Sequence, residues 1–222
     1  MMTVAIAGAT GVVGRRALYH LAHHPRVSRV VAVGRRSTEE HYPKLTDCVV
    51  NIQSAEEIAA ALPEKVDLAF CCLGTTIKKA GSKAAFREVD RDAVLAFAQG
   101  ALARGARHFL LVSSLGADPL SSLFYLRTKG QAEEGLCRLS YERLTFARPS
   151  VIDDEGARPE ARVGERVGLW AGKALFGAVN PEHRYAPISA DAIARALLVL
   201  AFEPRDERVR IVPSELLQRL AG

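Results

Sequence analysis

Long apolar runs, cysteines and aromatic residues are all scarce in this sequence. No apolar run approaches the roughly 18 residues that a membrane-spanning helix needs. The N-terminus, MMTVAIAGATG, lacks the charged region and long apolar stretch of a signal peptide. These absences favour a cytoplasmic protein without a membrane span. Of the four cysteines, only Cys71 and Cys72 are adjacent, in an apolar run where they point to opposite faces, and we expect free thiols.

The shortage of aromatic residues, 6% of the chain, argues against nucleic-acid binding. A net charge of +5 would attract polyanions, but the basic residues are interleaved with acidic ones throughout. We therefore expect no nucleic-acid partner. No internal repeat, low-complexity tract or linker divides the 222 residues, and a hydrophobic content of 49% suits one domain of ordinary size.

Apolar strands alternate with helix-forming segments along the chain. Strands are predicted at residues 3–7, 29–34, 47–50, 66–74, 108–114, 144–152 and 209–213. Helices are predicted at residues 12–23, 54–63, 84–104, 122–139, 163–176 and 190–202. This order predicts an α/β fold, a Rossmann-like doubly wound parallel sheet with helices on both faces. Such sheets bind ligands at the carboxyl ends of their strands.

A glycine-rich turn lies between the first strand and the first helix. The stretch AIAGATGVVG places Gly8, Gly11 and Gly14 there. Glycines at this point allow a tight turn and a close approach of the backbone to a pyrophosphate, which the positive helix N-terminus attracts. The position predicts dinucleotide binding. A purely structural turn is the alternative, and it leaves three glycines in this register unexplained.

The end of the second strand indicates which dinucleotide is bound. NAD sites usually carry an acidic residue there, whereas an arginine suits a 2′-phosphate. Here the strand ends in Arg35 and Arg36, and no acid follows until Glu39. Adjacent guanidinium groups offer bidentate contacts to a phosphate, so NADP(H) is favoured over NAD, with solvated arginines as the alternative.

The fourth strand ends in CCLGTT, where the backbone is expected to pass under the cofactor. Leu73 and Gly74 would contact it through the main chain. Thr75 or Thr76 would reach a phosphate or ribose. By itself this pattern is weak, because any strand end can carry glycine and threonine.

A candidate catalytic group follows the fifth strand. In FYLRTKG, Tyr125 and Lys129 are four residues apart and therefore share a helix face. An ammonium beside a phenol lowers the pKa of the phenol, which makes it a better proton donor for carbonyl chemistry. Ser113 and Ser114 end the fifth strand, and either hydroxyl would hydrogen-bond a substrate carbonyl.

These motifs resemble the short-chain dehydrogenase/reductase superfamily in its atypical and extended branches. The stretches CCLGTT, VDRDAVLAFA, LLVSSLGAD and FYLRTKGQAE are similar to the Tat-interacting NADPH-binding reductase-like group over nearly the whole chain. The resemblance implies that Tyr125 is the proton donor and acceptor. It implies NADPH contacts at Thr10, Gly11, Val12, Val13, Arg35, Arg36, Leu73, Gly74, Tyr125 and Lys129. From FARPSVI it further implies contacts near Ile152 and at Arg158.

One position departs from the resemblance. Asp90 matches the Asn that completes a proton relay in many extended members, so the full relay does not carry over. Only about 70 residues follow the sixth strand, which disfavours a nucleotide-sugar substrate. We expect a single NAD(P)-binding domain over residues 1–222. Residues 153–222 would contribute a small C-terminal substrate-side region, which begins with a mobile polar loop at 153–162.

The sequence thus predicts an NADP(H)-dependent oxidoreductase acting on an unidentified small carbonyl or alcohol. A protein that binds NADPH and reports its occupancy without turnover is the alternative, because proteins of one fold do both. The apolar face of residues 163–176 would line the substrate pocket, form a homodimer or touch a membrane surface, in that order of preference.

Two further signals are weaker. His20 and His24 share a helix face, but no third ligand accompanies them, so we expect no metal site. Lys78, Lys79 and Lys83 follow the fourth strand and would attract an anionic substrate at the mouth of the site. A solvated loop is the favoured reading of these three lysines.

Overall fold

The computed structural model describes residues 1–153 and 184–222, and a seven-stranded parallel sheet forms its centre. The described residues form nine strands, of which seven belong to this sheet. They are β1 (Met2–Ala7), β2 (Val27–Gly34), β3 (Leu45–Val49), β4 (Leu68–Cys71), β5 (His108–Val112), β6 (Arg143–Arg148), β7 (Ile152–Asp153), β8 (Ile188–Ser189) and β9 (Val209–Pro213). The large sheet has the order β3-β2-β1-β4-β5-β6-β9, whereas β7 and β8 pair separately. The strand order reverses between β1 and β4, which opens a crevice at their carboxyl ends.

Helices cover both faces of this sheet. They are α1 (Val12–His23), α2 (Ala55–Ala61), α3 (Ile77–Ala80), α4 (Lys83–Arg87), α5 (Ala93–Ala103), α6 (Phe124–Cys137), α7 (Ala190–Phe202) and α8 (Ser214–Leu220). Helices α1, α7 and α8 pack in one hydrophobic cluster, and α2, α5 and α6 in another. The predicted Rossmann-like, doubly wound fold is therefore confirmed.

Strand β1 is continuously apolar because both of its faces are buried. Val4 and Ile6 point into the cluster with α1 and α7, whereas Ala5 and Ala7 point into the cluster with α2 and α5. All four side chains are fully buried. Successive side chains of a strand point to opposite faces, so a strand covered on both faces has no polar side to alternate with.

Three predicted elements differ from the structure by more than two residues or in continuity, whereas the other described boundaries agree within two residues. The predicted strand 144–152 divides into β6 and β7, because Pro149 lacks an amide hydrogen and the Ser150 amide donates to Ser214 Oγ at 3.1 Å instead of to a strand. The predicted helix 84–104 is interrupted by a π-helical turn at Glu88–Asp92. Strand β4 ends at Cys71 rather than at residue 74, which leaves Leu73 in a loop.

Part of the predicted C-terminal region lies outside the described residues. This holds for the helix predicted at 163–176 and for nearly all of the polar loop that precedes it. Residues 184–222 supply β8, α7, β9 and α8, so they complete the large sheet and one helical layer. Among the described helices, none is both long and apolar enough to cross a bilayer.

Candidate active site

The turn from β1 to α1 is packed so tightly that two of its positions require glycine. Gly8 has a φ of +79°, and a Cβ added to it would lie 2.5 Å from the carbonyl carbon of Cys72. A Cβ on Gly14 would lie 2.0 Å from the carbonyl oxygen of Gly8. The turn therefore lies directly against the chain leaving β4, at the crevice between β1 and β4.

The N-terminus of α1 is chemically suited to an anion. Gly11 is the N-cap residue, no side chain caps the helix, and its first turn contains no acidic residue. The first amide hydrogens of a helix have no intrahelical acceptor, and they carry partial positive charge. The side chain of Val13 is buried in the core, which leaves only its backbone for a ligand. Thr10 and Val12 are half-buried at the same turn. The residues present fit a pyrophosphate.

Arg35 and Arg36 directly follow β2 and are exposed. Neither has an ion-pair or hydrogen-bond partner in the part of the chain that the structure describes. The nearby carboxylate of Asp47 is committed elsewhere, because it accepts from the Thr38 amide at 2.6 Å and from the Ser37 hydroxyl at 2.8 Å. Both guanidinium groups are thus available to a ligand at the end of β2.

The loop after β4 brings the predicted cofactor-contacting and catalytic residues together. Leu73 is half-buried, and a Cβ added to Gly74 would lie 3.6 Å from both Asp90 Oδ1 and Lys129 Nζ. The Thr75 amide donates to Asp90 Oδ2 at 2.9 Å. The backbone of this loop therefore covers the ammonium group of Lys129.

Lys129 and Asp90 form an ion pair in the interior. Their Nζ and Oδ1 atoms are 2.8 Å apart, and the side chains are 5% and 1% exposed. Burial by itself lowers the pKa of Lys129. The charge and hydrogen bond of the adjacent Asp90 carboxylate, together with Tyr125 and Cys71, outweigh burial and raise the pKa above its usual value. Lys129 therefore provides a fixed positive charge in the site.

Tyr125 lies in the first turn of α6, one turn before Lys129. It is half-buried, and its ring packs against the fully buried ring of Phe86 with centroids 5.7 Å apart. Contact with a core residue restricts the position of the Tyr125 ring. The i and i+4 spacing predicted from the sequence thus lies on a helix, as expected.

The two serines after β5 have different partners. Ser113 is 4% exposed, and its hydroxyl donates to Glu133 Oε1 at 2.5 Å. Glu133 also accepts two hydrogen bonds from Arg148, at 2.5 and 3.1 Å. Ser114 is half-buried, and among the described residues its hydroxyl contacts only the Leu115 carbonyl oxygen, at 3.4 Å. Ser113 is therefore committed to Glu133, whereas the Ser114 hydroxyl is available.

The remaining predicted residues follow the sixth strand. Ile152 is half-buried in β7 and packs against the core, while Arg158 lies outside the described residues. Asp153, next to Ile152, lines a cleft of about 350 Å³ together with Val12 and Glu40. Strand β7 thus lies near the start of α1 and the loop after β2.

The two histidines with metal-like spacing have other partners. His20 Nε2 lies 2.7 Å from Asp191 Oδ1, and the ring of His24 stacks on Phe202 with centroids 4.2 Å apart. No group of three or more metal-binding side chains occurs within residues 1–153 and 184–222.

Sequence reasoning missed the roles of Glu133 and Arg148, and it noted Asp90 only as a departure from a family pattern. One signal was present for Glu133, which follows Lys129 by four residues and so lies on the same face of α6. No sequence pattern pairs Asp90 with Lys129, since they come from different helical elements.

Two proteins are similar in sequence to this chain over most of its length. Protein HTATIP2 of Rattus norvegicus is 35% identical over 98% of this chain and 88% of its own length. Protein FMP52, mitochondrial, of Eremothecium gossypii is 31% identical over 96% of this chain and 94% of its own length. The first relative confirms the resemblance to the Tat-interacting NADPH-binding group.

A solved structure shares the fold at low sequence identity. It is a short-chain dehydrogenase/reductase superfamily protein from Agrobacterium tumefaciens with bound NAD. It superimposes with a TM-score of 0.67 and 14% identity, covering 94% of this chain and 76% of its own. The shared fold agrees with the Rossmann-like architecture described above.

The fungal relatives correct one expectation. Several of them, including the Eremothecium gossypii protein, are named as mitochondrial. This contradicts the cytoplasmic location predicted from the sequence, and that prediction is wrong. It rested on the lack of a secretory signal, which does not separate the cytosol from organelles with other import signals.

The sequence also matches the model of a protein family. The family is described as NAD(P)H-binding, and the match extends over residues 8–203, from the first glycine of the β1–α1 turn to the end of α7. It therefore includes the glycine turn, the loop after β4 and the Tyr125–Lys129 helix. The chain belongs to this NAD(P)H-binding family.

Proposed function

We propose that this protein is an NADP(H)-dependent oxidoreductase that interconverts a small carbonyl compound and its alcohol. One observation carries the proposal. The Lys129 ammonium lies beneath Gly74, in the loop that also abuts the glycine turn of α1. The residues suited to proton transfer and the residues suited to a dinucleotide therefore share one crevice.

The chain offers a group for each part of the cofactor, which supplies a hydride to the substrate when bound. The amides at Gly11, Val12 and Val13 would hold the pyrophosphate. Lys129 would bind the nicotinamide ribose. Arg35 and Arg36 would bind the 2′-phosphate of NADP(H), and their lack of partners within the described residues supports this choice over NAD.

In the direction of reduction, Tyr125 donates a proton to the substrate oxygen as hydride reaches the carbonyl carbon. As the C=O π bond breaks, the hydride that a bound reduced cofactor would supply forms the C–H bond with its electron pair, and the proton from Tyr125 forms the O–H bond. Ser114 would hydrogen-bond the carbonyl oxygen, since Ser113 already donates to Glu133 at 2.5 Å. Lys129 stabilises the Tyr125 phenolate that the proton leaves behind.

The cofactor part of the proposal is tested by fluorescence titration with NADPH and NADH. Arg35→Ala is expected to weaken NADPH binding by about 1.5–3 kcal/mol, the scale of a hydrogen bond to a charged group, and to leave NADH binding unchanged. Arg107→Ala is the control, because Arg107 precedes β5 and so lies at the amino ends of the parallel strands, whereas Arg35 follows the carboxyl end of β2. Equal affinities of the native protein for NADPH and NADH would overturn the role of the arginines.

The catalytic part is tested on a panel of aldehydes and ketones with NADPH. Tyr125→Phe is expected to lower kcat by about 10²–10⁴-fold, the usual contribution of a positioned proton donor. Tyr19→Phe, an exposed position on α1, is the control. Tight NADPH binding with identical rates in native protein and Tyr125→Phe would overturn the enzyme and leave a protein that senses NADPH without turnover.

A further inference from the structure

Three cationic side chains surround one aromatic ring beside the proposed proton donor. Lys83 Nζ lies 5.4 Å from the centroid of the Phe124 ring, Arg87 Cζ lies 5.5 Å from it, and Arg127 Cζ lies 5.9 Å from it. These distances are within the range of cation–π attraction. We call Lys83, Arg87, Arg127 and Phe124 the cationic rim.

The cationic rim is continuous with the catalytic residues. Phe86 packs against Phe124 with ring centroids 5.8 Å apart, and against Tyr125 with centroids 5.7 Å apart. Lys83 and Arg87 are one turn apart on α4, which leads into the π-helical turn that holds Asp90. Helix α4 and the start of α6 thus present the cations next to Tyr125.

The positive charge of the cationic rim is not neutralised within the described residues. Lys83 and Arg87 have no ion-pair partner there, and Lys83 is exposed. Arg127 donates to the carbonyl oxygens of Ser121 and Ser122, at 2.6 and 3.1 Å, and these neutral acceptors leave its charge in place.

The surroundings add to this charge. Lys78 and Lys79 on α3 are exposed and have no ion-pair partner among the described residues. Glu88, the acid that follows Arg87, forms no ion pair with the rim. Arg138, which directly follows α6, shows the contrast, because it pairs with Glu134 at 2.8 Å.

We propose that the substrate carries an anionic group, a carboxylate or a phosphate, which the cationic rim binds while Tyr125 faces the carbonyl. The inference rests on the proposed function and names its substrate class. Uncompensated charge at the mouth of a site raises the local concentration of anions, and guanidinium groups bind both kinds of oxyanion. The ring of Phe124 holds the cations in one place.

The test measures binding separately from turnover. The NADPH-loaded protein is titrated calorimetrically with pyruvate and methyl pyruvate, and with dihydroxyacetone phosphate and dihydroxyacetone. We expect each anionic compound to bind at least about tenfold more tightly than its uncharged partner, with the difference shrinking as salt concentration rises. The two pairs distinguish a carboxylate from a phosphate.

A double variant tests the residues themselves. Lys83→Gln with Arg87→Gln is expected to weaken binding of the preferred anion about tenfold or more, and to leave NADPH affinity and binding of the uncharged compounds unchanged. Arg138→Gln is the control, because Arg138 is an exposed cation directly after α6 and away from the rim. Circular dichroism checks that each variant folds.

The outcomes separate the two proposals. No anion preference, no binding of any anion at millimolar concentration, or equal effects of the double variant and Arg138→Gln would overturn the cationic rim. An anion preference that the double variant abolishes would support it. If that preference occurs without NADPH oxidation on any compound, the oxidoreductase is overturned while the anion site stands.

Discussion

The Lys129 ammonium lies 2.8 Å from the Asp90 carboxylate, and both side chains are almost completely buried. The π-helical turn at Glu88–Asp92 brings Asp90 to this position, and the Thr75 amide binds its other oxygen. Two buried charges lose much hydration energy, so they are tolerated only as a well-bonded pair. The pair fixes the lysine in its charged form where a nicotinamide ribose is expected.

Breaking this pair is expected to destabilise the protein strongly. Asp90→Asn leaves the Lys129 ammonium buried without an anion, a change that typically costs about 3–5 kcal/mol. Urea unfolding at neutral pH measures the loss. Asp92→Asn is the matched control, since Asp92 pairs with Arg91 at 2.7 Å but is 41% exposed, and we expect less than about 1 kcal/mol. Similar losses in both variants would contradict the role given to Asp90.

The stability of Asp90→Asn should change with pH in the opposite direction from the stability of the native protein. In the native protein the pKa of Lys129 is raised, so its contribution is complete below about pH 10.5 and is lost only at more alkaline pH. In Asp90→Asn, burial without a partner lowers the pKa of Lys129, and the unfolded chain binds the proton more tightly. The variant is therefore expected to gain stability between about pH 7 and pH 10. The difference in unfolding free energy between the native protein and Asp90→Asn should therefore narrow over this pH range. A constant difference would contradict the prediction.

Glu133 offers a second comparison between neighbouring positions. Its side chain is 6% exposed and accepts from Arg148 and from the Ser113 hydroxyl. Glu133→Gln is expected to cost about 1.5–3 kcal/mol of unfolding free energy, because hydrogen bonds to a charged group are weakened. The next residue, Glu134, is 49% exposed and pairs with Arg138, so Glu134→Gln should cost only about 0.3–0.5 kcal/mol. Equal losses in denaturant unfolding would count against the buried network.

A comparison of alanine substitutions at Gly8 and Gly81 separates the cost of backbone strain from the cost of steric overlap. Both have positive φ angles, +79° and +83°, but a Cβ on Gly81 would have no heavy atom within 4 Å. Gly81→Ala should therefore cost about 1–2 kcal/mol of stability and leave NADPH affinity unchanged. Gly8→Ala adds an overlap with the Cys72 backbone at 2.5 Å, so we expect a loss larger by about 1–3 kcal/mol and weaker NADPH binding. Chemical denaturation and fluorescence titration measure the two effects, and indistinguishable variants would rule out the close approach.

His108 should make the protein sensitive to acid. Burial, followed by the charges of Arg143 and Arg205, lowers the pKa of His108 to about 3, and its Nε2 lies 2.8 Å from Thr145 Oγ1. As pH falls below about 6.5, the unfolded chain takes up the proton first, so folding stability falls by up to about 1.4 kcal/mol per pH unit until about pH 3.

The measurement for His108 is urea unfolding at several pH values between about pH 7 and pH 4. His108→Gln is expected to show a shallower fall in stability than the native protein. His41→Gln, at an exposed position, serves as the control and should keep the native slope. A native slope in His108→Gln would show that another group causes the acid sensitivity.

Some boundaries were not predictable from local pattern. The apolar run 144–152 reads as one strand, but Ser150 leaves the sheet because its amide bonds to Ser214, which is distant in sequence. The run 84–104 reads as one helix, and the added residue of a π-helical turn has no clear signature in composition. For Ser150 the deciding contact lies on another element.

The sequence by itself determined the parallel α/β architecture, the glycine turn and the Tyr125–Lys129 spacing, because periodicity and spacing act along the chain. Only the tertiary structure decided which side chains meet. It paired Lys129 with Asp90, gave Ser113 to Glu133 and left the Ser114 hydroxyl available. Those pairings join elements far apart in sequence, and they depend on how each helix packs against the sheet, which no local pattern specifies.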